Sequence, residues 1–306
     1  MKQPDDRYSD MLYGGNIARR EFLALSAGAV VAATLRPAFG PGMRSVGIWF
    51  PDIVETNVNI TTPDGVCDAV FVHPKGGSHP GVLVWPDVFG LRPAMVDIGK
   101  RLAAQGYSVL VPNPFYRVGK TPFPDASKVD FKDSTDMKKM QVLMTAGHAP
   151  GNVEKDAPAH IAFLDAQKEV DAKKKIGVQG YCMGGPMVVR TAAAVPDRVG
   201  AGASFHGGGL VTDGPDSPHL LAPKIKAQMY FAIAANDDEH QPDAKDKLKA
   251  AFPNEKAPAG VEVYPGTLHG WCVPDMPVRD GKPIYSKADA ERAWGKLSDL
   301  YRTSLV

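Results

Sequence analysis

A cysteine flanked by glycines is the residue of this sequence best suited to covalent chemistry. Residues Gly180 to Gly184 read glycine, tyrosine, cysteine, methionine, glycine, between a predicted buried strand and a predicted helix. A nucleophile on so sharp a turn needs flanking glycines, because Cβ atoms there would clash with the neighbouring strand and helix. The N-terminus of the following helix also favours the thiolate. The pattern predicts that Cys182 is a nucleophile, the alternative being a buried cysteine in a glycine turn.

A nucleophile in this motif is followed along the chain by an acid and then by a histidine. Asp237 comes directly after one predicted strand, and His269 comes after the next one. The carboxyl ends of strands are where open α/β sheets place their sites. We expect His269 to take the proton of Cys182 and Asp237 to orient the imidazole, with Asp238 as the alternative acid.

Acyl chemistry also needs two backbone N–H groups to bind the oxyanion. We expect one from Met183, directly after the nucleophile, and the other from Val88, in the turn after the predicted strand Gly81–Trp85. His206 also ends a predicted strand, but it precedes the acid in the chain. We therefore expect His206 to line or support the pocket rather than to serve as the base.

The elements that position these residues alternate between strand and helix. Continuous apolar runs predict strands buried on both faces, and apolar residues at helical spacing predict the intervening helices. Thr62 to Gly65 has turn chemistry and predicts an early hairpin. About eight strands with interleaved helices predict an α/β fold, a mostly parallel sheet with helices on both faces.

Composition limits the classes of partner. The chain has 306 residues, of which 44% are apolar and 23% charged, as in ordinary globular proteins. Lysine and arginine number 35 and aspartate and glutamate 34, so the net charge of +1 gives no general attraction to nucleic acid or anionic membranes. Three cysteines make no disulfide framework, and their spacing contains no Cys-x-x-Cys metal pair.

The N-terminus has the features of a targeting signal. Arg19 and Arg20 precede an apolar run, Leu23 to Leu35, which is shorter than the roughly 20 residues that span a bilayer. This pattern is typical of a twin-arginine signal. It predicts residues 1–40 to be a signal with the start of a linker, and residues 41–306 to be one domain. We expect export by the twin-arginine machinery to the periplasm or beyond, without stable membrane insertion after cleavage. A first amphipathic helix and a retained anchor are the alternatives.

Six segments, in order, resemble the dienelactone hydrolase family of α/β-hydrolases over about residues 55 to 303. The segments begin at Trp85, Val111, Gly180, Ser204, Asn236 and Tyr264 and read WPDVFGLRP, VPNPFYR, GYCMGG, SFHGGG, ND and YPGTLHG. The resemblance implies an α/β-hydrolase fold, a Cys-His-Asp triad and no cofactor. It implies hydrolysis of a small ester or lactone through a thioester acyl-enzyme, as in a carboxymethylenebutenolidase.

The resemblance also implies roles for residues around the triad. Asp87 stands where the family has an acid that pairs with the resting cysteine and helps to form the thiolate. Arg117 matches the first of two arginines that grip a substrate carboxylate, whereas Val273 stands at the second position and Arg279 is a possible substitute. Further substrate contacts are expected from Phe89, Tyr181, His206 and Trp271.

Two other functions use the same residues. An acyltransferase or thioesterase would employ the same triad with another acceptor. A non-catalytic binding protein could also be built on a hydrolase scaffold. The presence of Cys182, Asp237 and His269 together argues against the binding protein, because the fold alone does not require them.

Overall fold

An eight-stranded sheet forms the centre of the protein. The computed structural model describes residues 52–121, 134–147, 149–253, 259–279 and 282–305. The predicted signal, residues 1–40, lies outside these ranges, and the proposed division at residue 40 stays a prediction. Among the described residues, no helix combines the length and apolar character needed to cross a membrane.

The strands of the sheet alternate along the chain with helices. In chain order they are β1 (Ile53–Thr62), β2 (Gly65–Pro74), β3 (Gly81–Trp85), β4 (Ser108–Pro112), β5 (Ile176–Tyr181), β6 (Val199–Phe205), β7 (Gln228–Ala234) and β8 (Ala259–Tyr264). Their spatial order is β1-β2-β4-β3-β5-β6-β7-β8. Strands β1 and β2 form the predicted antiparallel hairpin, β2 pairs antiparallel with β4, and all further pairs are parallel. The predicted α/β-hydrolase fold is confirmed.

Helices cover both faces of this sheet. They are α1 (Pro93–Ala104), α2 (Ser134–Gly147), α3 (Asn152–Asp165), α4 (Gly184–Ala194), α5 (Ala235–His240), α6 (Ala244–Ala251) and α7 (Lys287–Ser304). Helices α1 and α7 bury their apolar residues in the core on one face, and α3 and α4 do so in the core on the other. Strands β3 and β4 are buried along their whole length, which explains why their sequences are continuous apolar runs.

Three short elements were not predicted. Helix α5 follows β7 directly, where the sequence suggested only a turn, and none of its residues is buried. A 3₁₀ helix, Pro218–Lys224, and a two-stranded ribbon of β9 (Val278–Arg279) and β10 (Lys282–Pro283) complete the described elements. Helix α5 matters most for function, since it contains Asp237.

Candidate active site

Cys182 occupies a strained turn between β5 and α4. Its φ of +51° lies in the left-handed region that side chains rarely adopt. The flanking glycines are required by space. A Cβ on Gly180 would overlap the carbonyl of Gly184, and one on Gly184 would lie 2.5 Å from the carbonyl oxygen of Trp85. The turn therefore holds the cysteine at the carboxyl edge of the sheet and tight against the turn after β3.

His269 and Asp237 form a buried pair at the same edge. The imidazole Nδ1 lies 2.9 and 3.0 Å from the two carboxylate oxygens of Asp237. Their side chains are only 8% and 9% exposed, so solvent screens the interaction weakly. Asn236 fixes the loop as well, because its side-chain oxygen accepts the backbone N–H of His269 at 2.7 Å. Sequence reasoning gave Asn236 no such role.

The other ring nitrogen of His269 is available for chemistry. Nε2 is buried and makes no hydrogen bond of good geometry with the described residues. The Cys182 side chain is nevertheless near enough to interact with the imidazole by charge and hydrogen bonding. Burial alone would lower the pKa of His269, but the charges of Asp237 and Cys182 outweigh it and raise that pKa well above its usual value. This arrangement stabilises the imidazolium form of His269.

Asp238, the alternative acid, is engaged elsewhere. Its carboxylate oxygens lie 2.7 and 2.9 Å from the ammonium group of Lys245. No hydrogen bond joins Asp238 to His269 among the described residues. The geometry therefore favours Asp237 as the partner of the imidazole.

His206 packs directly against the imidazole of His269. It is completely buried, and its φ is +39°. The His206 and His269 ring centroids are 5.0 Å apart in an edge-to-face arrangement. Burial and the nearby charge of His269 lower the pKa of His206 well below its usual value. His206 therefore supports His269 as a neutral ring.

Of the two predicted oxyanion donors, Met183 directly follows Cys182 and Val88 lies in the turn after β3. Both residues are buried and belong to the same hydrophobic core as Cys182. The backbone N–H groups of Val88 and Met183 have no acceptor among the described residues. An oxyanion site of the predicted kind requires two such uncommitted donors.

Comparison with known proteins agrees with this geometry. The sequence pattern described as the dienelactone hydrolase family matches residues 67–305. The chain belongs to the dienelactone hydrolase family. That membership confirms the predicted class of enzyme, a carboxylic ester or lactone hydrolase.

Individual relatives resemble the chain over most of its length. A Methylorubrum extorquens protein named "Putative carboxymethylenebutenolidase" is 26% identical over 289 residues, which cover 91% of this chain and 93% of the relative. A Rhodococcus opacus protein named "Carboxymethylenebutenolidase" is 25% identical over 75% of this chain and 83% of its own. The solved structure named m3DLH, 23% identical, superposes with a TM-score of 0.69 over 83% of this chain and 99% of its own.

Asp87 differs from the role that membership of the dienelactone hydrolase family suggests. Its carboxylate is wholly buried, and Arg92 donates two hydrogen bonds to it at 2.7 and 2.9 Å. The Phe89 N–H donates a third, at 2.9 Å. The structure thus does not show the expected pairing of Asp87 with the Cys182 sulfur, because both of its oxygens bind other donors.

Arg117 is likewise bound to other side chains of the protein. It donates four hydrogen bonds to Asp64 and Asp156, at 2.8 to 3.1 Å, and so uses four of its five N–H donors. Its guanidinium also lies over the Tyr116 ring. Val273, at the position of the family's second arginine, is fully buried. The side chain of Arg279, the possible substitute, lies outside the described part of the structure, and contact between Arg117 and substrate stays a prediction.

The aromatic residues predicted to contact substrate fall into two groups. Phe89 belongs to the buried cluster that contains Cys182. Tyr181 and Trp271 belong to the core on the opposite face, where Tyr181 stacks on Phe205 and Trp271 stacks on Tyr264. The structure shows both rings packed in this core, and their contact with substrate stays a prediction.

A groove of about 870 Å³ lies between helices α1 and α7. Its lining includes Arg92, Tyr181, Cys272 and Trp294, but not the three triad candidates. Among the described residues, no cluster of three or more histidine, cysteine or acidic side chains could hold a metal ion.

Proposed function

We propose that this protein is a thiol-dependent hydrolase that cleaves small ester or lactone bonds through Cys182, His269 and Asp237. The observation that carries the proposal is the Asp237–His269 pair, whose imidazole interacts by charge and hydrogen bonding with Cys182, the cysteine of a strained glycine turn. The names of the relatives, carboxymethylenebutenolidases, support a lactone as substrate class.

The proposed reaction has two stages. The Cys182 thiolate attacks the carbonyl carbon, and the N–H groups of Val88 and Met183 bind the resulting oxyanion. As the C–O bond breaks, His269 gives its proton to the leaving oxygen, which departs as an alcohol or, from a lactone, stays attached as a hydroxyl group. The product of this stage is a thioester on Cys182.

Water completes the cycle. His269 takes a proton from a water molecule, whose oxygen attacks the thioester carbonyl. The C–S bond then breaks, the acid is released and the thiolate–imidazolium pair is restored. Asp237 stabilises the imidazolium in both stages and fixes which nitrogen faces the sulfur. Asp237 itself keeps its charge throughout.

The test is activity of the purified protein on p-nitrophenyl acetate and on a panel of esters and lactones, before and after treatment with iodoacetamide. Cys182→Ala and alkylation should each abolish turnover. Cys272→Ala is the matched control and should keep both the activity and its sensitivity to alkylation. Activity that survives both alkylation and Cys182→Ala would overturn the assignment.

The same experiment separates the alternatives. An acyltransferase or thioesterase would give more product with an added alcohol or thiol acceptor, or act only on thioesters. A binding protein would show neither turnover nor a stoichiometric acyl adduct at Cys182 by mass spectrometry. We further propose that the chain is exported by the twin-arginine route, a proposal supported by Arg19, Arg20 and the apolar run after them.

A further inference from the structure

We propose that Arg92 is a positioning residue of this thiol site, which clamps the oxyanion turn to the histidine loop and cancels the charge of Asp87 beside Cys182. The inference rests on the proposed function, because it assigns Arg92 to that same site. Arg92 follows the turn that bears Val88, and it stood in no motif that suggested a role.

The clamp uses every donor that an arginine has. Nη1 and Nη2 of Arg92 donate to the two oxygens of Asp87 at 2.7 and 2.9 Å. Nε and Nη2 donate to the two oxygens of Asp275 at 2.7 and 2.9 Å. Nη1 also reaches the carbonyl of Gly90 at 3.4 Å. A planar guanidinium that grips two carboxylates in this way fixes both in position and orientation.

The two carboxylates belong to two segments whose relative position the proposed reaction depends on, the turn that bears Val88 and the loop that follows His269. Asp87 directly precedes Val88, the proposed oxyanion donor. Asp275 lies in the loop that follows His269, six residues further along the chain. The Arg92 side chain is 9% exposed and that of Asp87 is 0% exposed, so this half of the link is shielded from solvent, whereas the Asp275 side chain at the other end is 37% exposed.

Asp87 is also close to the nucleophile. Trp85 of β3 pairs with Gly180 of β5, so Asp87 and Cys182 each stand two residues beyond one aligned pair. Gly184 approaches the carbonyls of Trp85 and Pro86 so closely that a Cβ there would lie 2.5 and 2.8 Å from them. Asp87 and Cys182 therefore lie on adjoining turns at the same edge of the sheet, and through these turns the proposal has the charge of Asp87 act on the cysteine.

Without Arg92, the carboxylate and the thiolate would compete for one proton. An uncompensated buried carboxylate is costly and becomes protonated more readily, and a second negative charge nearby disfavours the thiolate. The thiolate would then form only at higher pH. The charged or titratable groups facing this pair from the surrounding elements are Arg92, Asp275, His269 and, behind the imidazole, Asp237 and His206.

The experiment measures the rate at which iodoacetamide alkylates Cys182 of the full chain, located by peptide mass spectrometry, as a function of pH. Arg92→Gln should raise the pH at which the alkylation rate is half-maximal by at least about one unit, which slows alkylation at pH 7 about tenfold or more. Asp87→Asn added to Arg92→Gln should restore the midpoint. A merely structural role would not be rescued by removing the opposite charge.

Two further variants separate the charge from the clamp. Arg92→Lys keeps the charge but cannot grip two carboxylates, so its alkylation midpoint should stay near wild type while kcat for ester hydrolysis falls about tenfold or more, with KM changing less. Arg101→Gln is the matched control, since Arg101 lies on the same helix and makes an exposed bidentate pair with Glu291. It should change neither quantity.

Two outcomes would overturn the proposal: a folded Arg92→Gln protein with the wild-type alkylation profile, or a shift that Asp87→Asn fails to reverse. If Arg92→Gln does not fold, Arg92→Lys decides, and an unchanged kcat then refutes the clamp. Alkylation requires no ester turnover, so an inactive wild-type protein would count against the proposed function while the alkylation profiles still test Arg92.

Discussion

Replacing Asp237 by asparagine keeps the shape of the side chain and removes its charge. The carboxylate lies 2.9 Å from Nδ1 of His269, and both side chains are more than nine-tenths buried. With an effective dielectric constant of about 20, opposite charges about 4 Å apart attract by about 4 kcal/mol. A single charge-assisted hydrogen bond contributes about 1.5 kcal/mol at the low end. We therefore expect Asp237→Asn to reduce kcat/KM between about tenfold and about a thousandfold.

The same change should alter the pH dependence in a fixed direction. The pKa of His269 is raised in the folded protein, to which the charge of Asp237 contributes. Removing that charge lowers the pKa, so fewer molecules hold the imidazolium–thiolate pair at neutral pH and Cys182 alkylation shifts to higher pH. The stability that the raised pKa provides is fully present below the unfolded-state pKa, about 6.5, and is lost as the pH rises through the folded-state value. The difference in unfolding free energy between wild type and Asp237→Asn should therefore be larger at pH 6 than at pH 9.

Asp238→Asn is the matched control for both measurements. It breaks a partly exposed ion pair with Lys245, of a kind that contributes at most about 1 kcal/mol. Its kcat/KM on p-nitrophenyl acetate should stay within about threefold of wild type. The assignment of the triad acid fails if Asp238→Asn is the more damaging change, or if Asp237→Asn keeps nearly full activity.

Three further predictions concern the turn, the arginine and the N-terminus. Gly184→Ala should lower the unfolding free energy by about 1–3 kcal/mol or more in denaturant titration, because its Cβ meets backbone carbonyls, whereas Gly295→Ala, which meets nothing, should not. Arg117→Ala should lower the unfolding free energy by about 3 kcal/mol, since it leaves the buried carboxylate of Asp156 without its ion pair. Unchanged stability with a selective loss of activity on carboxylate-bearing esters would instead assign Arg117 to substrate binding. Changing Arg19 and Arg20 together to lysine should keep the protein in the cytoplasm on cell fractionation, and continued export would contradict the signal.

The parts of the fold that could be predicted are those indicated by a pattern of neighbouring residues in the sequence. Strand Gly81–Trp85 was predicted with its observed bounds, because a run buried on both faces is continuously apolar. Helix α5 was missed because its six residues, Ala235–His240, include no large apolar side chain, which leaves no apolar periodicity to read. The motif order of nucleophile, acid and histidine led to the residues that the structure brings together, although their catalytic roles stay predictions.

The contacts that sequence reasoning missed join residues far apart in the chain. Arg92 and Asp275 are 183 positions apart, and although Arg92 belongs to the segment WPDVFGLRP, the resemblance suggested no role for either residue. Likewise, the sequence did not indicate that Asp156 binds Arg117. A single sequence does not reveal whether an aspartate on a helix points to the solvent or to the protein interior. The expected roles of Asp87 and Arg117 came from family resemblance, which compares positions but not the neighbours that this chain places around them.

The neutral ring of His206 gives the site a spectroscopic reporter. Because burial and the neighbouring charge of His269 keep the pKa of His206 well below its usual value, its nitrogen-15 resonances should not report a protonation of its own ring at neutral pH. Its ring lies 5.0 Å from that of His269, so those resonances should shift only through the electric field, which changes when the His269 imidazole gains or loses its proton. Isotope labelling of histidine would thus allow the protonation state of His269 to be followed during turnover through a neighbour that takes no proton itself.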